Sequence, residues 1–185
     1  MTLMQPVLVD KDGNVAAARQ VQSPNQDGRP PETRITLLVI HGISLPPGEY
    51  GGSEIEALFC NTLDCSRHSY FGQLVGLRVS AHFLIRRDGE LIQFVSCGRR
   101  AWHAGHSEWK GRERCNDYSV GIELEGMDNQ PYQSTQYQCL AALALGLKAR
   151  YPIADIKGHA DIAPGRKSDP GPAFDWTGFF SLLNS

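Results

Sequence analysis

The sequence has no apolar run near the roughly 20 residues that a membrane-spanning helix requires. Met1 to Asn14 also lacks the basic region and apolar core of an export signal, so the expectation is a cytoplasmic chain with no membrane partner. Charge of one sign is lacking as well. The formal net charge is -2, which argues against a nucleic-acid partner attracted by bulk electrostatics. The cysteines do not come in an even set: Cys60, Cys65, Cys97, Cys115 and Cys139 are five and scattered. That suits free thiols in a reducing compartment better than a disulfide framework. Cys60 and Cys65, with His68 close behind, have only a weak metal spacing. Internal repeats, linkers and low-complexity segments are absent. With 185 residues, the chain fits one domain, 1–185, large enough to bury a substantial core.

What is present begins with an irregular arm over residues 1–33, punctuated by Pro24, Asp27-Gly28 and Pro30-Pro31. Ile35 to His41 is a nearly continuous apolar run, as expected for a strand covered on both faces, with His41 at its end. Ser53 and Glu56 match a capping box, and a short helix through about Cys60 should bury Ile55, Leu58 and Phe59. Asp88-Gly89 between Val79–Arg86 and Glu90–Val95 is a hairpin signal. His82, mid-strand among apolar neighbours, reads as a core histidine. His103 and His106 sit among small residues that suit a cleft wall, and they rank as a second choice for metal binding.

Tyr118 to Glu125 alternates, with Val120, Ile122 and Leu124 on one face and Gly121, Glu123 and Glu125 on the other. On that pattern alone, a second face that meets water is the simpler reading. The other is a carboxylate aimed into a cleft, where it could handle protons. Ser134 to Arg150 has the spacing of the main helix, stopped by Pro152. Ile153 to Gly158 leads into a short strand. Phe174 to Leu183 should form a closing helix, with Asp175 as N-cap and Trp176, Phe179 and Leu183 facing inward.

The chain is organised around Lys157 to Gly171, which places His159, Asp161, Arg166, Lys167 and Asp169 between glycines and prolines. Pro164 and Pro170 argue for a turned loop rather than a helix, and such loops often carry function. Two histidines and a carboxylate, with a fourth position left to water, make a known catalytic zinc arrangement. His41, His159 and Asp169 can supply it from two strand ends and a loop. An amide hydrolase also needs a group to take the water's proton and a cation for the developing oxyanion. Glu123 and Lys167 suit those two tasks.

These residues lie in stretches that resemble the zinc N-acetylmuramoyl-L-alanine amidases, and within them the cytoplasmic group acting on 1,6-anhydro-muramyl peptides. The stretches are Val39–Gly48, Val79–Gly89, Arg100–Gly105, Gly111–Asp117, Gly121–Gly126 and the Gly158–Gly171 loop. The resemblance runs from about Val39 to Trp176. It implies an α/β fold with a mixed central β-sheet flanked by α-helices, as in peptidoglycan recognition proteins. It implies zinc on His41, His159 and Asp169, with Glu123 as the proton-handling carboxylate and Lys167 as oxyanion stabiliser. It implies hydrolysis, in peptidoglycan recycling, of the amide between the lactyl group of (1,6-anhydro-)N-acetylmuramic acid and L-alanine. Arg78, Trp102, Arg114 and Asn116 are assigned to substrate contact.

Two alternatives stand beside that reading. One is a peptidoglycan-binding module without catalysis. The other is a phage or secreted amidase acting on intact wall. The position after the first histidine, usually asparagine in the recycling group, is Gly42 here. That removes one possible hydrogen bond to substrate. His106 has no counterpart in the pattern.

Overall fold

In a computed structural model, which describes residues 6–184, the chain forms ten short strands and four α-helices among the described residues. In chain order the strands are β1 (Arg19–Gln20), β2 (Gln26–Gly28), β3 (Leu37–Ile43), β4 (Phe83–Ile85), β5 (Leu91–Gln93), β6 (Arg99–Ala101), β7 (Glu108–Trp109), β8 (Arg112–Glu113), β9 (Ser119–Glu125) and β10 (Asp155–Gly158). The helices are α1 (Glu54–Phe59), α2 (Ser134–Arg150), α3 (His159–Ile162) and α4 (Trp176–Leu183). Six strands build the central sheet in the order β1-β5-β4-β9-β3-β10. It is mixed: β4 and β5 are antiparallel, and the other neighbours run parallel.

The period-2 pattern decides what each face buries. Leu38 and Ile40 of β3 and Val120, Ile122 and Leu124 of β9 share a core with Leu140, Ala141, Ala144 and Leu147 of α2 and Phe179 of α4. Burial of each such large side chain contributes about 1.5–3 kcal/mol. On the other face, Leu37 and Val39 join a smaller cluster with Ala104, Cys115 and Ile162. Leu84 and Ile92 pack there with Ile55, Leu58 and Phe59 from α1. Since His41 continues the Leu37–Val39 series, it emerges on the face away from α2.

Several expectations hold element by element. The Asp88-Gly89 hairpin, the span of α2, the buried face of α1 and the Asp175 cap of α4 are all present, the last accepting from the Gly178 N–H at 2.9 Å. His82 is fully buried, and its Nδ1 accepts from the Gly121 N–H at 3.0 Å. All five cysteines are free thiols.

Other readings change. Ser53 makes no side-chain cap, because its own backbone is already helical at φ -92° and ψ -2°, and Glu56 does not reach back to it but pairs with Arg19 and Arg86, each at 2.7 Å. The segment Lys157–Gly171 is not wholly a loop: one helical turn, α3, starts at His159, five residues before Pro164 could interrupt it. The second face of β9 does not meet water, since every residue of that strand is buried. The arm before Leu37 supplies β1 at the sheet edge and β2, which pairs with β6. Its first five residues lie outside those described.

Candidate active site

β3 and β10 are parallel neighbours with Gly158 paired to Ile40, so the residues that follow, His159 and His41, come side by side. Both rings are buried. The Nδ1 atoms of His41 and His159 lie 3.0 Å apart, and Asp169 Oδ2 is 3.1 Å from each. Two backbone contacts bring Asp169 back to this point. Its carbonyl accepts from the Ala160 N–H at 3.0 Å, and the next carbonyl, that of Pro170, accepts from the Tyr132 hydroxyl at 2.9 Å.

The donor set suits a cation. His159 Nε2 faces the Ala104 carbonyl at 3.2 Å, and a carbonyl only accepts, so Nε2 carries the proton. In a neutral ring that leaves Nδ1 as a lone pair directed at the other two atoms. Burial pushes His41 down to about 4, so at neutral pH its ring is uncharged. An anionic oxygen and two imidazole nitrogens crowded within 3.1 Å call for something positive among them. Zinc bonds to such atoms run about 2.0–2.2 Å, and one ion can reach all three corners of this triangle. Among the described residues, this is the one cluster of histidine, cysteine and carboxylate groups that close together.

Glu123 sits on β9 directly across from His41, on the same face of the sheet. It lines a cavity of about 130 Å³ together with His41, His159, Asp169, Gly42 and Trp102. Its Oε2 is buried without a hydrogen-bond partner. Burial, reinforced by the charge of Asp169, raises its pKa well above the ordinary carboxylate value, while Lys167 opposes the shift. Glu125, two residues on, is the contrasting case. It pairs with Arg86 at 3.0 Å and accepts the Gly51 N–H at 2.7 Å. One carboxylate of β9 is therefore tied into the scaffold and the other is held in reserve.

The remaining sequence-derived positions scatter more widely. Lys167 is exposed and does not line the cavity, though its charge is felt at both Glu123 and His41. Trp102 lines the cavity, whereas Arg78 borders a neighbouring cavity of about 190 Å³ beside Leu58 and Leu77. Arg114 is exposed and contacts Asp117 at 3.3 Å. Asn116 turns its Oδ1 to the backbone N–H groups of His103 and Ala104, at 3.1 and 2.8 Å, and so shapes the loop beneath the histidines. His103 contacts His41 rather than pairing with His106 on a metal. His106 borders a separate cavity of about 470 Å³ near Arg166 and Asp161. Sequence reasoning missed Tyr132, whose hydroxyl holds the Asp169–Pro170 turn.

Tyr132 also accounts for Gly42. A Cβ at that position would overlap the Tyr132 hydroxyl. The glycine thus makes room for a side chain that fixes a neighbour of Asp169. Gly42→Ala should destabilise the protein by about 1–3 kcal/mol through overpacking, and adding Tyr132→Phe should recover part of that loss. Urea denaturation of the single and double variants checks it.

With this geometry in place, comparison with known proteins is decisive. The model of the N-acetylmuramoyl-L-alanine amidase family matches residues 31–172. The chain belongs to this family. It is 56% identical over 179 residues to the 1,6-anhydro-N-acetylmuramyl-L-alanine amidase AmpD of Salmonella typhimurium (strain SL1344), covering 96% of this chain and 95% of that protein. A crystal structure of an AmpD selenomethionine derivative superposes with a TM-score of 0.93 at 56% identity, covering 95% of this chain and 99% of the other. The Escherichia coli amidase AmiD superposes with a TM-score of 0.61 at 32% identity, over 95% of this chain and 65% of the other. That structure is a complex with anhydro-N-acetylmuramic acid-L-Ala-D-gamma-Glu-L-Lys. As in the expected fold of this amidase family, a mixed sheet carries helices on its faces.

Proposed function

We propose that this amidase hydrolyses the amide joining the lactyl group of 1,6-anhydro-N-acetylmuramic acid to L-alanine, using zinc held by His41, His159 and Asp169, in peptidoglycan recycling in the cytoplasm. The observation that carries the reading is the three-atom donor set opening into the same small cavity as the unpartnered oxygen of Glu123. Its support from kinship is the near full-length match to proteins named as 1,6-anhydro-muramyl amidases. The AmiD complex adds the kind of ligand a relative takes. No helix among the described residues is long and apolar enough to cross a membrane.

When bound, zinc supplies Lewis acidity, acidifying water and polarising a carbonyl. The chain supplies the rest. Glu123, with its raised pKa and free oxygen, takes the proton from the attacking water and returns it to the leaving amine. Lys167 brings positive charge toward the developing oxyanion. The apolar wall around the cavity, with Ile43, Phe59 and Val79, lowers the local dielectric and strengthens both effects. Trp102 contacts the substrate from the cavity wall, Arg78 and Arg114 offer its carboxylates a bidentate fork from farther out, and Asn116 acts through the His103–Ala104 loop that its Oδ1 holds.

Mass spectrometry of the purified protein with anhydro-muramyl tripeptide tests the reading. Free tripeptide and 1,6-anhydro-N-acetylmuramic acid should appear, and a chelator should abolish both. Persistence of intact ligand bound to zinc-loaded protein would instead make the chain a binding module.

A further inference from the structure

The proton positions behind His41 can be read from one fixed end. Ser119, fully buried at the start of β9, has its Oγ 2.6 Å from the Cys115 carbonyl. That carbonyl can only accept, so the hydroxyl donates to it. Ser119 has no second proton, so at the 3.1 Å contact with His103 Nε2 its oxygen accepts and His103 Nε2 donates. A neutral His103 then has a bare Nδ1. This atom lies 2.9 Å from His41 Nε2, which must therefore carry the proton. The tautomer of His41 that results leaves Nδ1 bare, and Nδ1 is the atom that faces His159 and Asp169. With both rings neutral, each hydrogen bond in the line has one direction, and the line ends at a backbone carbonyl.

A second observation shows that the fold reserves space for this line. Gly121 lies in the interior of β9, where glycine costs stability through lost packing and backbone entropy. A Cβ there would overlap the His103 ring. The loop before the ring is fixed too, through Asn116 and the His103 N–H.

We infer that His103, with Ser119 behind it, is a positioning residue that locks His41 in the tautomer able to bind metal through Nδ1. Its Nδ1 is turned to His41 Nε2, so it acts on the site through His41, although its ring also borders the cavity. The inference rests on the zinc reading above for its consequence, though the tautomer itself does not. Outer partners of this kind are worth about 10–100-fold in metal affinity.

Two measurements on the full chain test it. Imidazole ¹⁵N–¹H spectra of chelator-dialysed protein should show His41 protonated at Nε2, with that signal moving toward the Nδ1-protonated form in Ser119→Ala. The substitution removes one oxygen, frees His103 to turn its proton toward His41, and leaves the packing almost unchanged. Zinc competition against a chromophoric chelator should show affinity falling by about 10–100-fold in His103→Leu. His103→Asn should recover most of the loss, since its Oδ1 takes the place of the ring Nδ1 as acceptor. An Nδ1-protonated His41 in the wild type, or zinc bound equally tightly by wild type, Ser119→Ala and His103→Leu, overturns the inference. Wild-type protein that takes up no zinc overturns the metal reading instead, while the spectra still decide the tautomer.

Discussion

Asp169→Ala should purify without zinc and cleave no detectable anhydro-muramyl tripeptide. The physical case is the donor triangle: Asp169 Oδ2 stands 3.1 Å from both Nδ1 atoms and is the only anion among the three. Removing it leaves two imidazole nitrogens, whose affinity for a divalent ion is far lower than that of two nitrogens and a carboxylate. The expected loss of turnover is at least about 1,000-fold, since metal polarisation is worth several kcal/mol and each 1.4 kcal/mol is tenfold. Metal analysis and turnover should be measured on the same sample, with circular dichroism to establish that the variant is folded. Full zinc occupancy in the variant would remove Asp169 from the ligand set.

Glu123→Gln should behave in the opposite way toward metal. It keeps the three donors, so zinc content should equal that of the wild type, while turnover should fall by about 100- to 10,000-fold, the range for a lost general base. The same variant should be more stable than the wild type in metal-free form. Glu123 is a carboxylate with a buried, unpartnered oxygen, and its pKa is raised well above the ordinary value by burial and by Asp169. For an acid whose pKa rises on folding, the unfolded chain ionises first. The folded state therefore loses stability as pH climbs above the unfolded value, and goes on losing it until the folded pKa is passed. The stabilisation of Glu123→Gln over wild type should accordingly be small below about pH 4 and grow toward neutrality. Thermal melts at a series of pH values check the sign. A variant that is both active and no more stable would make Glu123 a scaffold group like Glu125.

The elements were largely legible because they depend on neighbours in sequence. The spacing of Leu140, Ala141, Ala144 and Leu147 turns one side of α2 toward the sheet, and Asp88-Gly89 closes a hairpin with residues next to it. Where a distant partner intervenes, local reasoning fails. Glu56 has the spacing of a capping residue, yet Arg19 and Arg86 hold it, and charge-assisted pairs outweigh a cap. The prolines of Lys157–Gly171 forbid helix only near themselves, so α3 forms at His159–Ile162 and ends before Pro164.

At the site, residue types in the sequence were enough to nominate His41, His159, Asp169, Glu123 and Lys167, and the motif resemblance was enough to nominate the amidase family. Their chemistry is intrinsic to the side chains: imidazole and carboxylate bind metal, and a strand alternates its faces wherever it runs. What the sequence could not hold is which lone pair points where. The register of β3 against β9 and β10 sets His41 beside both Glu123 and His159. Burial leaves the Glu123 oxygen unpartnered, and Ser119 and His103 direct the proton on His41. Those facts belong to atoms far apart in the chain, and only the packed tertiary structure brings them into one site.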